Sequence, residues 1–343
     1  MEATRTSTGI RVGGDARQRL HDARGYGLAR DNGEVELTAV ETAHLLYRGD
    51  LSGIDGTGFS GFLQTLTDER FALRFAVYKD LRDRGFYLDP VDRVPDAVPP
   101  STADFAVYER GAGRAADAIA FYIRVLGEAS TVPVGEFRPG VLAVVDDEGE
   151  VGYIEVAEPT LDGSAALPTS GSVEASIVGD RVHLPDPPDS LYAKHFFGRP
   201  VGGREATEGP LAISLLEAAY LSRLGVIDLA EAPIRQRGRR LEGDGFDRRA
   251  RVYAALRDRG VVPKTGYKFG ADYRVYSSFE SITEMGHSDH LVRVLEPGTT
   301  VRPNALSLDV RLAHGVGKRM VFAITTGTDD TALTWLSVTR LTP

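Results

Sequence analysis

The 343-residue sequence contains no cysteine, and this absence narrows the chemistry that the protein can use. A chain without cysteine has no disulfide bonds, no thiolate metal sites and no cysteine nucleophile. The sequence also lacks any apolar run that approaches the roughly 20 residues a helix needs to cross a bilayer. Its first residues, 1–15, are polar, which predicts that there is no signal peptide. We therefore expect a soluble, cytoplasmic protein that does not act at a membrane.

Positive charge is scarce as well. The chain has 40 Lys and Arg residues against 49 Asp and Glu residues, for a formal net charge of −9. Affinity for nucleic acid comes largely from cations that displace counterions, so this balance argues against a general coat protein for RNA. A local concentration of cations could still bind RNA in spite of the net charge. Three of the lysines, Lys264, Lys268 and Lys318, lie in the last part of the chain. The acidic, arginine-rich composition also suits either a high-salt cytoplasm or a GC-rich genome.

The sequence does contain an internal repeat. Segment 77–85 reads VYKDLRDRG, and segment 252–260 reads VYAALRDRG. Upstream of each segment is a helical run, and alignment of the two runs places Glu41 opposite Glu217. Because the order of such matches is kept along the chain, we expect two copies of one structural unit, the first more diverged than the second.

Each copy is predicted to have two parts, which makes the fold a mixed α/β (α+β) one. A small N-terminal α/β module with an amphipathic helix is followed by a domain that opens with a helix and continues in β-rich runs. In the second copy, the run Leu306–Lys318 has helical spacing, with Leu308, Leu312 and Val316 four apart. The expected division is 1–70 and 71–165 for the first copy, 166–177 for a linker, and 178–245 and 246–343 for the second copy.

Three polar residues of the second copy suit one kind of reaction. Tyr276 ends a strand-like run, His287 precedes the next one, and Lys318 follows the helical run. RNA cleavage by transesterification needs a base for the 2′-hydroxyl proton, an acid for the departing 5′-oxygen and a cation for the phosphorane charge. Histidine donates protons near neutral pH, lysine supplies fixed charge, and tyrosine acts as a base only with help from nearby cations. No metal is required.

The first copy lacks most of this pattern. Its Tyr108 corresponds to the tyrosine, but Ala118 stands near the position of the histidine, and Arg138 or Pro139 near that of the lysine. This asymmetry predicts that the second copy is active and the first is structural.

The segment Arg259–Met320 resembles the tRNA-splicing endonucleases of archaea. It contains RGVVPKTGYKFGADYRVY, then HSDHLV, then RLAHGVGKRM. The resemblance extends over the full chain. The arrangement of a close second copy and a diverged first copy is similar to the family's homodimeric branch, in which two repeats are fused in each subunit. It implies that Tyr276 is the general base, His287 the general acid and Lys318 the transition-state stabiliser.

The resemblance also implies a substrate. This would be intron-containing precursor tRNA, cut at a bulge–helix–bulge without cofactor to leave a 2′,3′-cyclic phosphate and a 5′-hydroxyl. Arg311, seven residues before the lysine, would bind RNA by stacking on flipped-out bulge bases. Arg340 is a candidate for a second such arginine. His290 departs from the family, which often has an aromatic residue at this position.

An acidic turn resembles a feature that the family uses for dimerisation. In the family, a loop in the last hairpin of the first copy inserts into a basic groove on the partner chain's catalytic half. The corresponding residues here are Asp146, Asp147, Glu148 and Glu150. They imply a homodimer, and the apolar C-terminal run Leu333–Leu341 is expected to pair across its interface.

Other functions are open at this point. One is a non-catalytic structural or RNA-binding subunit of such an enzyme, and another is a protein-interaction module built from two repeats. A third is a metal-dependent nuclease that uses Asp272 with Glu280 and Glu284, and a histidine metal site is a related alternative. The histidines concerned are His287, His290 and His314.

The candidate residues also have plainer interpretations. Tyr276 could be half-buried packing, as Tyr273 on the opposite face of the strand is expected to be. His287 could be a loop residue, and Lys318 could simply favour a helix C-terminus through its dipole. The acidic turn could be an ordinary solvated hairpin.

Overall fold

The structure is a computed structural model that describes residues 1–7, 9–94, 99–111, 118–169, 171–203, 206–326 and 333–343. No helix within these ranges is long and apolar enough to cross a membrane. The helices are α1 (Ala39–Arg48), α2 (Phe59–Gln64), α3 (Phe71–Asp83), α4 (Asp189–Ala193), α5 (Leu215–Arg223), α6 (Glu231–Glu242), α7 (Gly245–Asp258) and α8 (Pro303–Gly315). Shorter helical turns lie at Arg17–Asp22, Asp31–Gly33, Val91–Arg93, Val134–Glu136 and Tyr267–Phe269.

The strands alternate with these helices, and the mixed α/β fold predicted from the sequence is confirmed. Those of the first copy are β1 (Glu2–Arg5), β2 (Ile10–Val12), β3 (Leu28–Ala29), β4 (Val35–Leu37), β5 (Gly53–Ile54), β6 (Leu88–Pro90), β7 (Phe105–Tyr108), β8 (Ile119–Gly127), β9 (Val132–Pro133), β10 (Gly140–Val145) and β11 (Val151–Ala157). Those that follow are β12 (Val173–Glu174), β13 (Ser176–Val178), β14 (Arg181–Leu184), β15 (Arg199–Pro200), β16 (Leu211–Ser214), β17 (Ile227–Asp228), β18 (Val262–Thr265), β19 (Tyr273–Tyr276), β20 (His290–Leu295), β21 (Thr300–Val301), β22 (Arg319–Thr325) and β23 (Leu333–Leu341).

A ten-stranded sheet joins the two copies. Its order is β18-β19-β20-β22-β23-β11-β10-β8-β7-β6, so five strands of the second copy are followed by their counterparts from the first copy in reverse order. The halves meet where β11 and β23 run antiparallel, from Tyr153 opposite Leu341 to Ala157 opposite Ser337. The short strands β9 and β21 also pair with each other. The two copies are therefore related by an approximate twofold axis within one chain.

The role expected for the C-terminal strand was wrong. Leu333–Leu341 was expected to pair across a dimer interface, but β23 lies between β22 and β11 of its own chain. Both of its edges already have hydrogen-bonding partners over most of its length. The apolar character of this strand is explained by its place at the joint between the two copies.

The N-terminal modules show the repeat in atomic detail. Helices α1 and α5 each begin with a capping box, made by Thr38 and Glu41 in one copy and by Ser214 and Glu217 in the other. In each box the glutamate Oε1 also accepts a hydrogen bond from a glycine N–H, at 2.6 Å from Gly27 and 3.0 Å from Gly198. The alignment of Glu41 with Glu217 made from the sequence is therefore confirmed.

Helix α8 packs on the sheet through a face that the sequence did not single out. Its buried residues are Pro303, Leu306, Val310 and Ala313. Leu308, Leu312 and Val316 are 54%, 51% and 45% exposed, so the run of apolar residues four apart is on the outer side. The helix itself was predicted correctly, but both of its faces carry apolar residues, and helical spacing alone does not show which face is buried.

Candidate active site

Three strand ends of the second copy meet at one edge of the large sheet. β19 runs antiparallel to β20, and β20 runs parallel to β22. The end of β19 therefore lies beside the beginnings of β20 and β22. Tyr276 is the last residue of β19, His287 lies just before β20, and Lys318 immediately precedes β22. The topology thus brings the three segments together although they are separated along the chain.

Asp289 fixes the geometry of this edge. Its backbone N–H donates to Val275 O at 2.8 Å, and its carbonyl accepts from Arg319 N at 3.0 Å, so it bridges β19 and β22. Its carboxylate accepts a hydrogen bond from Ser277 N at 2.9 Å. Asp289 was not among the residues predicted from the sequence, although a short acidic side chain close to a candidate histidine, in a loop between strands, was a usable indication.

Lys318 is placed by the end of α8. Gly317 takes a left-handed conformation with φ of 67°, and the backbone N–H of Lys318 returns to Ala313 O at 2.9 Å, a common way to end a helix. The half-buried side chain donates from Nζ to Ser288 O at 2.7 Å. Nζ also lies 5.7 Å from the centroid of the Phe269 ring. The ammonium group is thereby held against the residue that follows His287.

His287 is exposed, whereas the next residue, Ser288, is only 6% exposed. The backbone of the loop is thus anchored while the imidazole faces solvent. An imidazole in such a place is open to a substrate.

Tyr276 is almost fully buried, with 3% of its surface exposed. Its ring meets the Phe196 ring edge-on, with centroids 5.9 Å apart, and packs in a small cluster with Val262 and Phe279. The guanidinium of Arg274 lies 5.7 Å from its ring centroid. Within the described ranges, its hydroxyl has no hydrogen-bonding partner. Tyr273, in contrast, lies in the main core of this copy, as expected.

The two candidate RNA-binding arginines are both exposed. Arg311 is exposed on α8. Arg340 is exposed on β23, and the pairing of Met320 with Val338 places it at the same edge of the sheet as Lys318. Arg340 is therefore near the proposed site, which its sequence position alone did not indicate.

The alternative metal sites are not supported by the arrangement of side chains. Within the described ranges, no group of three or more His, Asp or Glu side chains is placed to hold a metal ion. Asp272 instead accepts from Val294 N at 2.8 Å and pairs with Arg249 at 3.2 Å. Asp104 of the first copy accepts from Val125 N at the same distance, which indicates a structural role in both copies.

The histidines of the alternative metal site also differ in their exposure to solvent. His290 is 7% exposed in β20, and burial lowers its pKa. His314 is exposed on α8. His290 is therefore a packing residue.

The acidic turn is an exposed hairpin turn between β10 and β11. The Asp146 carboxylate accepts hydrogen bonds from Glu148 N at 3.0 Å and Glu150 N at 2.8 Å. Asp147, Glu148 and Glu150 are exposed. Its backbone is ordered by internal hydrogen bonds, which leaves three carboxylates pointing outward.

Comparison with known families agrees with this architecture. A family model described as the tRNA intron endonuclease, catalytic C-terminal domain, matches residues 246–335. The corresponding N-terminal domain model matches twice, at residues 1–63 and 173–235. The double match follows the internal repeat, and the catalytic match includes Tyr276, His287 and Lys318.

Whole-length relatives carry the name tRNA-splicing endonuclease. The one from Halobacterium salinarum is 51% identical over 337 residues, which covers 97% of each chain. The one from Haloferax volcanii is 47% identical over 335 residues, with the same coverage. The one from Methanosarcina mazei is 33% identical over 345 residues and 93% of each chain. The chain therefore belongs to the tRNA intron endonuclease family and is an endoribonuclease.

Proposed function

We propose that this protein excises introns from precursor tRNA by cutting at bulge–helix–bulge motifs, without a metal ion. The observation that carries the proposal is the meeting of the three strand ends, where Lys318 Nζ holds the loop of His287 through Ser288 O at 2.7 Å. The names of the relatives support precursor tRNA as the substrate.

The proposed reaction is a transesterification in which each of the three residues has one role. Tyr276 takes the proton of the 2′-hydroxyl, and the freed oxygen attacks the adjacent phosphorus. His287 protonates the departing 5′-oxygen, while Lys318 stabilises the extra negative charge of the phosphorane. The products are a 2′,3′-cyclic phosphate and a 5′-hydroxyl. The exposed imidazole and the uncommitted tyrosine hydroxyl suit these roles.

Tyrosine needs assistance as a base, because a phenol gives up its proton only reluctantly near neutral pH. Two cations are close to this one. Arg274 lies over the Tyr276 ring, and Lys318 lies at the same edge of the sheet. Both cations are placed at this edge to interact with negative charge that develops as the substrate proton is transferred.

The first copy is proposed to be a structural partner. The pairing of β10 with β8, compared with that of β22 with β20, makes Arg138 the counterpart of Lys318. Its guanidinium folds back onto the carbonyls of Gly135 and Phe137, at 2.8 and 2.7 Å. The counterparts of His287 and Lys318 in this copy are therefore an alanine, Ala118, and an arginine that is already bonded to backbone carbonyls.

We keep the domain division expected from the sequence with one change. β12 pairs with β17, and the second match of the N-terminal family model begins at residue 173. Residues 173–177 are therefore assigned to the second N-terminal module rather than to the linker.

Recognition of the RNA is proposed to rely on Arg311 and Arg340. Planar guanidinium groups stack well on unpaired bases, and bulge bases are free to leave the helix. Arg340, at the same edge of the sheet as Lys318, and the exposed Arg311 would hold such a base near the phosphate that is cut. This arrangement lets a chain with net negative charge bind RNA locally.

The working form is proposed to be a homodimer, which would present two active copies to the two bulges of one substrate. The exposed acidic turn suits insertion into a basic groove of a partner chain. Its internal hydrogen bonds support this role, because an ordered turn loses less entropy on docking.

The decisive experiment is incubation of the purified protein with a bulge–helix–bulge precursor tRNA in excess EDTA, followed by analysis of the fragment ends. Cleavage to 2′,3′-cyclic phosphate and 5′-hydroxyl ends is the expected result. If cleavage requires magnesium with a prefolded RNA, the metal-free mechanism is wrong. If no condition gives cleavage, the chain is a non-catalytic subunit.

A further inference from the structure

One position beside the tyrosine carries opposite charges in the two copies. In the second copy, Pro263 pairs with Val275, and in the first, Leu88 pairs with Val107. The next residue of each strand is Lys264 in the second copy and Asp89 in the first. On the neighbouring strand, the corresponding tyrosines lie on the same face as these residues.

In the first copy, this position captures the tyrosine hydroxyl. Tyr108 is 1% exposed, and its hydroxyl donates to Asp89 Oδ2 at 2.8 Å. Asp89 is itself 2% exposed. A hydroxyl that donates its proton to a buried carboxylate is committed to the structure and is not available to a substrate.

In the second copy, the ammonium at this position cannot accept that proton. Lys264 Nζ turns toward the N-terminal module and donates to Glu217 Oε1 at 2.6 Å and to Phe196 O at 3.1 Å. Burial alone would raise the pKa of Glu217, but the ammonium beside it lowers that pKa to about 2. Lys264 and Glu217 therefore form a mostly buried ion pair, and removing only one of the two charges is costly because it leaves the other without a partner.

Phe196 is the second difference between the copies. Its φ is +53°, a left-handed conformation that is strained for a non-glycine residue. The first copy has Gly25 at this point, with φ of +65°. In both copies the residue N–H bonds to the carbonyl four residues earlier, at His21 O and Tyr192 O. A phenylalanine is thus kept in a conformation for which glycine is the usual choice.

The ring of Phe196 explains why this strain is useful. It stacks on Phe279 with centroids 5.2 Å apart and planes at 11°, and it meets the Tyr276 ring at 5.9 Å. Lys264 Nζ lies 4.7 Å from the centroid of the same ring. A continuous set of contacts therefore runs from Glu217 through Lys264 and Phe196 to Tyr276.

We infer that Lys264 is a positioning residue for Tyr276: anchored by Glu217, it fixes Phe196 against the tyrosine ring and leaves the hydroxyl without an internal acceptor. The inference rests on the proposed role of Tyr276 as the base. It also assigns the second N-terminal module a part in catalysis, because that module supplies both Glu217 and Phe196.

The main test uses a double variant, Lys264→Met with Glu217→Gln. The single lysine variant would leave a buried, unpaired carboxylate and could unfold the module, whereas the double variant removes both charges. We expect the single-turnover rate constant at saturating enzyme to fall about 10- to 100-fold, because small displacements of a catalytic group cost this much. The dissociation constant for uncleaved RNA should change by less than about threefold, since the two side chains are only 13% and 7% exposed and offer little surface to RNA. The single variant Lys264→Arg, which keeps a positive charge beside Glu217, should retain much of the wild-type rate.

A second variant, Phe196→Leu, keeps the ion pair but removes the ring that contacts the tyrosine. It should show the same loss of rate with unchanged binding. The matched control is Asp89→Asn, at the corresponding position of the first copy, which should cleave at the wild-type rate. Full-rate cleavage by the folded double variant or by Phe196→Leu would overturn the inference, and so would a loss of binding as large as the loss of rate.

Tyr276→Phe, measured in parallel, separates this inference from the function on which it rests. If Tyr276→Phe is slow while the Lys264 double variant is not, only the positioning role fails. If Tyr276→Phe itself cleaves at the wild-type rate, the base is another group, and both the assignment of Tyr276 and the positioning role fail.

Discussion

Acid should destabilise the first copy through one histidine, His44. Its side chain is 0% exposed in α1, with Nδ1 2.9 Å from the Tyr26 hydroxyl and the ring edge-on to Tyr78 at 5.6 Å. Among the residues that the structure describes, its Nε2 has no hydrogen-bonding partner, and it lies 3.8 Å from Asp83. Burial, reinforced by the positive charge of Arg82, lowers the pKa of His44 from 6.5 to about 4.

The direction of this pKa shift determines whether the free energy of unfolding rises or falls with pH. Between pH 6.5 and about 4 the unfolded chain binds a proton at His44 that the folded chain does not bind. The free energy of unfolding therefore falls as the pH falls through this window, and is unaffected by His44 above it. One pKa unit corresponds to about 1.4 kcal/mol, so the loss is about 2 kcal/mol at pH 5 and roughly 3 kcal/mol below pH 4.

The second copy provides a natural control for this site. It has Tyr220 at the position of His44 and Phe197 at that of Tyr26, and the Tyr220 hydroxyl donates to Asp258 at 2.8 Å. The double variant Tyr26→Phe with His44→Tyr copies this arrangement and removes the titrating group. Asp83 of the first copy corresponds to Asp258 and can accept the new hydroxyl.

Thermal unfolding of the wild type and of the double variant, followed by circular dichroism at pH 7.5 and pH 5, tests whether His44 causes the loss of stability in acid. A loss of 1 kcal/mol lowers the midpoint of a 150–250-residue unit by roughly 2–4 °C, so the wild type should lose about 4–8 °C more than the double variant. The exposed His314, changed to Gln, should leave the pH dependence as in the wild type. Equal losses in the wild type and the double variant would show that His44 does not control acid stability.

Three further predictions concern the site, the dimer and the repeat. His287→Ala should slow single-turnover cleavage by about 10²- to 10⁴-fold, with an unchanged thermal midpoint because the side chain is exposed; a normal rate would mean that the acid lies elsewhere. Reversing the charges of Asp147 and Glu148 to lysine should shift the protein toward monomer in analytical ultracentrifugation, and unchanged sedimentation would refute docking by the turn. Gly198→Ala should unfold at a much lower temperature than Gly225→Ala. Both glycines have positive φ, but only at Gly198 would an added Cβ lie 2.4 Å from the Ile213 side chain. Equal thermal midpoints for the two variants would contradict this.

The repeat and the three central site residues could be predicted because they depend on local patterns. Matched segments in the same order indicate a duplicated fold, and strand-like runs that end at Tyr276 and begin after His287 are visible in the sequence alone. The structure then placed these ends at one edge of the sheet. Their catalytic roles stay predictions.

The features that were not predicted depend on contacts between distant parts of the chain. The apolar pattern of β23 shows that the strand must be covered, but not that β11 of the same chain covers it. Both faces of α8 are apolar, so the choice of buried face depends on the sheet beneath. In the sequence, Lys264 is one of three lysines in the last part of the chain, and only the fold shows that Glu217 pairs with it and that Phe196 lies between it and Tyr276.

The antiparallel pairing of β11 with β23 also determines how the protein responds to dilution. Because both strands belong to one polypeptide, the contact between the two copies is intramolecular and does not depend on protein concentration. Only a contact between separate chains weakens as the protein is diluted. A fall in activity on dilution would therefore measure the association of chains, while each catalytic copy stays joined to its structural partner at any concentration.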